Sequence, residues 1–531
     1  MKDTTLLVNA TIYTLQPHQP AASALAVRHG RILAVGSQQQ VRQAVGEAEV
    51  VDLHQQTVIP GLTDAHIHLQ YYSLGLQKVD CETTTRSECL RRVAERAQTT
   101  PPGQWILGHG WNQNNWLEGF GTATDLDAAA PHHPVYLTAK SLHAGWANHQ
   151  ALGSSGISAQ TADPQGGWLG RDAQGQPDGI LYESAMGLVE AALPQPTPAE
   201  VAEAIHAAIP HLWQMGLTGV HDFDRRTCFT ALQMLHQRGQ LGLRVVKSLP
   251  LEELPEAAEL GLRSGFGDDW LRIGSVKCFA DGALGPHTAA MLQAYEDAPE
   301  NLGMLMLDAE TLVERGRLAV ENGLSLAVHA IGDRANHEVL NGFARLRSIE
   351  AEHSGKTSLR HRIEHLQVLH PDDAGRLAQL GVIASMQPIH ATSDMQAADR
   401  FWGERAALSY AWREQLRHGA CLAFGSDAPV ESPNPFWGLH AAVTRRRQDG
   451  SPGPQGWRAE QRLTLHEALA GFTTGAAYAA GMEDRLGQLA PGFWADLLVL
   501  EQDPFTCPPQ DLYQIRPAAV MLGGNWVLGG F

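Results

Sequence analysis

The chain lacks most of the features that would send a protein to a membrane, a nucleic acid or the cell exterior. It contains no run of about 18 apolar residues, so no membrane-spanning helix is expected. Its start, Met-Lys-Asp-Thr-Thr, carries no charged-then-apolar secretion signal. Cysteine is sparse and scattered: Cys81, Cys89, Cys228, Cys278, Cys421 and Cys507 include no C-x-x-C pair. That spacing excludes a disulfide framework and a thiolate metal site, and it suits a reducing compartment, the cytoplasm. Basic residues are in deficit, 39 Lys and Arg against 57 Asp and Glu, for a formal charge of −18. So acidic a chain is not expected to take nucleic acid or an anionic membrane surface as its main partner. A small-molecule substrate is the expected partner, with a homodimer admitted.

What is there is length and histidine. The 531 residues, 44% of them hydrophobic, leave room for more than one domain. Residues 4–57 read as short β runs, Thr5–Leu15, Ser23–Val27 and Arg31–Val35, with His29-Gly30 as a tight turn. This piece is too small to bury a sheet face alone. Residues 486–500 and 518–528 are strand-like too, with turn glycines. The two termini are therefore expected to pair into a small β-sandwich domain, residues 1–58 and 482–531.

Residues 59–481 are expected to form a (β/α)8 TIM barrel, of the α/β class. From residue 197 strands alternate with helices: 218–223, 243–249, 271–279, 325–330, 361–367, 382–387 and 421–425. With the apolar stretch 58–69 before them, they make eight strands, and such alternation implies parallel βα units. An open doubly wound sheet is the alternative, and it would lack the Gly-rich phosphate loop expected at its first turn. After strand one, residues 70–195 break the rhythm and read as an inserted subdomain, too long for a connection.

In a barrel the C-terminal strand ends share one mouth. Strand one ends in His66 and His68, which lie two apart and so face the same side. Strand four carries Lys277, strand five ends in His329, strand six in Glu364-His365, strand seven in Gln387 and His390, and strand eight in Ser426-Asp427. Four of these imidazoles, His66, His68, His329 and His365, with Asp427 exceed what one tetrahedral zinc needs, which favours two divalent ions. Zinc is expected, although such N/O sites also take manganese, iron or cobalt. An ammonium among metal ions would be repelled. A buried Lys277 with a lowered pKa can instead take up CO2 as a carbamate, an anionic bridge. The plain alternative is a salt bridge to Asp281.

Pro-Gly-Leu-Thr-Asp-Ala-His66-Ile-His68, Lys277, His329 in Val-His-Ala-Ile-Gly-Asp, His365 in His-Arg-Ile-Glu-His, and Asp427 in Gly-Ser-Asp-Ala-Pro together resemble the amidohydrolase superfamily. Val-Lys-Cys-Phe-Ala-Asp-Gly-Ala-Leu-Gly and Gly-His-Gly-Trp-Asn resemble its family 3 branch, which includes N-substituted formamide deformylases. The resemblance spans essentially the whole chain, and its motifs are specific as a set. It implies that His66, His68 and Asp427 hold the more buried ion, that His329 and His365 hold the other, and that carboxylated Lys277 bridges them. It implies hydrolysis of a non-peptide C–N bond, amide, N-acyl or N-formyl, by a metal-activated hydroxide, with Asp427 moving the proton to the leaving nitrogen. A mononuclear deaminase of the same superfamily and a catalytically silent regulatory relative are the rival readings.

Substrate contacts are less legible. His109 and Trp111, in one loop of the insertion, and His143 are candidates, with local packing as the alternative. Asp281 contacts substrate or caps the next helix. His390 is a further substrate contact. Glu364 is expected to support the site without binding metal, and His221 is disfavoured as a ligand.

Overall fold

In the computed structural model, which describes residues 3–113, 116–141 and 143–530, the chain divides into two compact units. One comprises residues up to Tyr72 and from Ile205 onward, the other Ser73–Ala204.

The apolar stretch that precedes the first histidines is split. Thr57–Pro60 is a strand of the small β domain, where it pairs antiparallel with Leu497–Leu500 from the far end of the chain. Gly61 makes the corner. A Cβ there would press on the Thr218 side chain, with Cγ2 at 2.6 Å, so the close approach requires glycine. The barrel's first strand then starts at Leu62.

The terminal strands form one eight-stranded hydrogen-bonded sheet. Leu7, Ile12, Leu25 and Val58 from one end of the chain bury one core with Leu497, Val499 and Met521 from the other. Neither segment alone has enough apolar face to do so. Behind the sheet, Leu6, Val8, Ala24 and Ala26 pack on Val41 and Val45 of helix Gln38–Val45, which opens on a capping box at Ser37.

Eight parallel strands follow: β1 Leu62–Ile67, β2 Leu217–Asp222, β3 Arg244–Pro250, β4 Leu271–Phe279, β5 Ser325–Ala330, β6 Arg362–His365, β7 Ile383–Met386 and β8 Leu422–Phe424. Each pairs with the next in order. The circle closes between β8 and β1 through a parallel bridge, Ile67 to Ala428, with Asp427 N–H donating to His66 O at 2.7 Å and His68 N–H to Ala428 O at 2.9 Å. Buried Asp64 adds a clasp: its carboxylate accepts from the backbone N–H of His66 and Ser426, each at 3.0 Å, and from the Ser426 hydroxyl. The barrel is thus sewn shut at the residues that the motifs singled out.

The inserted unit is a six-stranded mixed sheet. Val79–Asp80, Ile106–Trp111 and Val135–Ala139 run parallel, while Ala144–Ala147, Pro177–Glu183 and Gly167–Arg171 add on antiparallel. Its own core includes Trp111, Trp116 and Trp146, which pack edge or face against one another at 6.1–6.3 Å. His109 and Trp111 lie on a strand, not in the loop expected. Among the described residues no helix is long and apolar enough to cross a membrane.

Candidate metal centre

The strand ends deliver their side chains into one cleft of about 340 Å³, lined by His66, His68, Lys277, His329, His365, His390 and Asp427, with Phe279, Leu284, Ile331 and Val430 among its apolar walls. The size is that of a small-molecule site.

Four of these five histidines, all but His390, have one ring nitrogen committed to a fixed partner, and that decides which nitrogen remains. His66 Nδ1 donates to Glu364 Oε2 at 2.6 Å, His68 Nδ1 to Asp224 Oδ1 at 3.0 Å, and His365 Nδ1 to Gln387 Oε1 at 3.0 Å. In all three the Nε2 lone pair is left for another acceptor role. His329 is turned the other way: its Nε2 donates to Gly282 O at 2.9 Å and leaves Nδ1. The Nε2 atoms of His66 and His390 are buried with no hydrogen-bond partner among the described residues. A buried unpartnered imidazole nitrogen is costly unless something with positive charge meets it.

Asp427 sits among these atoms. Its Oδ1 is 3.6 Å from His66 Nε2 and 3.4 Å from His68 Nε2, and its Oδ2 is 3.9 Å from His390 Nε2. His66, His68 and Asp427 form one group compact enough for a metal ion, and His365, His390 and Asp427 form another. The donor set, imidazole nitrogen with carboxylate oxygen, fits zinc, manganese, iron or cobalt. His390, expected as a substrate contact, therefore stands in the second group. His329 is in neither, although its ring lies 4.5 Å from that of His365.

Electrostatics agree with this donor set. Burial pushes the pKa of His66 down to about 4 and that of His329 to about 3, so both are neutral, as ligands must be. His68 differs: burial disfavours its charge, yet hydrogen bonds to Asp224 and Asp427 raise its pKa to about 9, so without a metal it is protonated and an ion there would displace its Nε2 proton. Burial opposes ionised Asp427, but the hydrogen bond from His68 and the neighbouring imidazoles hold its pKa well below the carboxylate range. Asp427 and His365 also adopt left-handed backbone, φ 61° and 74°, rare for residues with a Cβ and concentrated at functional sites.

Lys277 is buried, and burial lowers its pKa to about 8. Its Nζ lies 4.7 Å from the Phe223 ring and 5.1 Å from that of Phe279. Among the described residues it has no salt-bridge partner. Asp281, the alternative partner, is spent elsewhere: its carboxylate accepts from the backbone N–H of Ala290, Ile331 and Gly332 at 2.8–3.0 Å, the last being the cap of helix Asp333–Ser354.

Behind these side chains lies a polar layer that the sequence motifs only half revealed. Glu364 also takes both Nε and Nη2 of Arg362 and the Ser385 hydroxyl. Arg362 reaches on to Ala65 O and His221 Nδ1, so His221 supports the site from inside the barrel. Asp224 holds His68, while Asp222 pairs with Lys247 at 2.8 Å and takes the Leu69 amide. The available signal was charged residues two apart in an apolar strand or at its end, Arg362 with Glu364 in β6 and Asp222 at the end of β2 with Asp224 just beyond it.

Of the candidates in the insertion, Trp111 is buried and its indole N–H donates to Leu137 O at 2.9 Å. His109 is exposed and bonded to the Thr138 hydroxyl at 2.8 Å, and His143 to Glu183 at 2.9 Å.

Known proteins resemble this chain over nearly its whole length. The amidohydrolase family pattern matches residues 49–528. Protein LONG AFTER FAR-RED 3 of Arabidopsis thaliana is 33% identical over 93% of this chain and 86% of its own. N-substituted formamide deformylase of Arthrobacter pascens is 29% identical over 98% of this chain and 97% of its own. An uncharacterized metal-dependent hydrolase from Pyrococcus furiosus, known from its crystal structure, is similar in fold at a TM-score of 0.78 and 29% identity, covering 95% of this chain and 100% of its own. Similarity of that extent, over a barrel whose mouth gathers imidazole lone pairs around one aspartate, has one reading: the chain belongs to the amidohydrolase family and is a metal-dependent hydrolase.

Proposed function

We propose that this hydrolase cleaves a non-peptide C–N bond, of an amide or N-formyl compound, with two divalent ions, zinc foremost. The observation that carries the reading is the commitment of one nitrogen on each of His66, His68, His329 and His365, which leaves one nitrogen per ring in a cleft that also holds Asp427 and an unpaired Lys277.

In this reading His66, His68 and Asp427 hold one ion, His365 and the Nδ1 of His329 the other. When bound, the ions supply Lewis acidity and lower the pKa of a water. The chain's own residues do the rest. Burial lowers the pKa of Lys277 to about 8, which favours the uncharged amine; its Nζ would add to CO2 and lose a proton, giving an anionic carbamate able to serve both ions. Asp427, ionised, accepts a proton and delivers it to the leaving nitrogen. Phe279, Leu284, Ile331 and Val430 exclude water around an apolar substituent on the substrate. The relative that acts on N-substituted formamides supports a small acyl group as the cleaved part.

The compact group of His365, His390 and Asp427 favours a second reading, in which His390 replaces His329 as ligand. Metal content per chain separates the two: His329→Ala is expected to bind one ion and His390→Ala two. A wild-type chain that binds one ion and deaminates would support the mononuclear deaminase. Metal-loaded protein should hydrolyse members of a panel of N-formyl amines, N-acyl amino acids and carbamates. Inactivity against the whole panel would sink the proposed activity and favour a regulatory relative.

A further inference from the structure

A basic cavity lies away from the catalytic cleft. A cavity of about 520 Å³ opens at the N-terminal ends of the barrel strands. Arg272 is the second residue of β4, Ser325 the first of β5, and Arg360 lies just before β6. Five residues of extended strand, about 16 Å, separate Arg272 from Lys277 at the other end. In a TIM barrel this end is concerned with stability, and the chemistry lies opposite.

Four cations line the cavity, Arg263, Arg272, Lys356 and Arg360, against two carboxylates, Glu321 and Glu350. Both carboxylates are already engaged. Glu321 pairs with Arg317 at 3.4 Å, and Glu350 takes Arg347 at 2.6 Å together with the backbone N–H of Ser358 and Leu359. Arg360 is satisfied in part, by Glu483 and by stacking on Tyr478. Arg263, Arg272 and Lys356 have no salt-bridge partner among the described residues. Arg272 bonds only Gly265 O, at 2.9 Å; its Nε and Nη1, and Nη1 of Arg360, are shielded from water without an acceptor. In a chain of formal charge −18, four cations gathered around one hollow, three of them without a salt-bridge partner among the described residues, stand out.

We propose that this cavity is a binding site for a small oxyanionic metabolite, one bearing a phosphate or carboxylate group. Guanidinium groups bind such oxygens in fork geometry, and the cavity volume suits a metabolite more than a bare ion.

The test is isothermal titration calorimetry of inorganic phosphate and, separately, of succinate into the metal-loaded full-length protein at low ionic strength. Saturable binding of at least one is expected. Arg272→Gln should weaken it by about tenfold, the effect of losing one charged hydrogen bond. The double variant Arg263→Ser/Lys356→Ser should weaken it as well. Both of its side chains are exposed, so this variant carries the test if Arg272→Gln does not fold. Binding of phosphate alone identifies a phosphorylated ligand; binding of succinate alone identifies a carboxylate. No saturable binding of either at millimolar concentration would overturn the proposal, and so would binding undiminished in the folded variants, which would place the anion elsewhere.

Discussion

Replacing Glu364 by glutamine keeps the size of the side chain and removes its charge, which isolates what the buried carboxylate does. Glu364 is fully buried and accepts from His66, Ser385 and two nitrogens of Arg362. Burial would raise its pKa, but Arg362 and His66 hold it well below the usual range, so it is ionised in the fold. The amide cannot accept at both positions, and it leaves the Arg362 guanidinium buried without a counter-charge. Removing one partner of such a pair costs about 3–5 kcal/mol. A second effect is separable. His66 loses a charged acceptor at Nδ1, and losing such support typically lowers metal affinity by about 10–100-fold. The assay is urea denaturation followed by tryptophan fluorescence, run on metal-free and metal-loaded protein, with metal affinity from competition against a chromophoric chelator. The metal-free variant should already be destabilised by the full Arg362 effect. The gap should widen with metal by about 1.4–2.7 kcal/mol, the energy of that affinity loss. A metal-free stability equal to wild type would refute the buried-pair argument, and an unchanged metal affinity would refute the role assigned to Glu364 in orienting His66.

Asp427→Asn should keep part of its metal and lose turnover by about 10²–10⁴-fold, read as kcat on any substrate found; near-normal kcat would remove Asp427 from proton transfer. Gly425→Ala would drive a Cβ into the backbone N–H of His66 and to 2.7 Å from Asp64 Oδ1, opening the β8–β1 seam. Stability should fall by about 1–3 kcal/mol and metal content with it, and wild-type metal content would show that the seam tolerates the change. Glu467 pairs bidentately with Arg413 at 2.6 Å and closes the capping box of helix Leu465–Phe472. Burial opposes its charge, yet Arg413 and Thr464 lower its pKa from 4.5 to about 2. A depressed carboxylate pKa stabilises the fold above the unfolded value and loses that effect as pH falls through the folded value. Glu467→Gln should therefore cost about 1–2 kcal/mol at neutral pH, allowing for partial exposure, with the difference from wild type shrinking between pH 4.5 and about 2. A difference independent of pH would count against this account.

The alternation after residue 197 was enough to read the barrel, because each βα unit buries its own apolar faces and so carries its own period. The paired termini were legible for a similar reason: two short β segments, each unable to bury its face, require one another. Elements that depend on distant contacts were not. The stretch before His66 looks like one apolar strand, but it is divided at Gly61, because Thr57–Pro60 pairs with Leu497–Leu500 while Leu62–Ile67 pairs with β2. Helix Pro388–Trp402, which carries His390 and Asp394, was hidden behind the strand-end motif. Trp111, a candidate substrate contact in the sequence, packs against Trp116 and Trp146, contacts that only the folded insertion brings together.

Residue types at strand ends were therefore determined by the sequence alone: parallel strands deliver their C-terminal residues to one mouth whatever the details, and His66, His68, Lys277, His329, His365 and Asp427 come with them. Tertiary structure alone decided how each group is used. A histidine's sequence position does not say which nitrogen is free; Glu364, Asp224, Gln387 and Gly282, from other strands and loops, decide that by taking the opposite one. The charge of a lysine or aspartate depends on what is buried around it, and that is a property of the closed barrel.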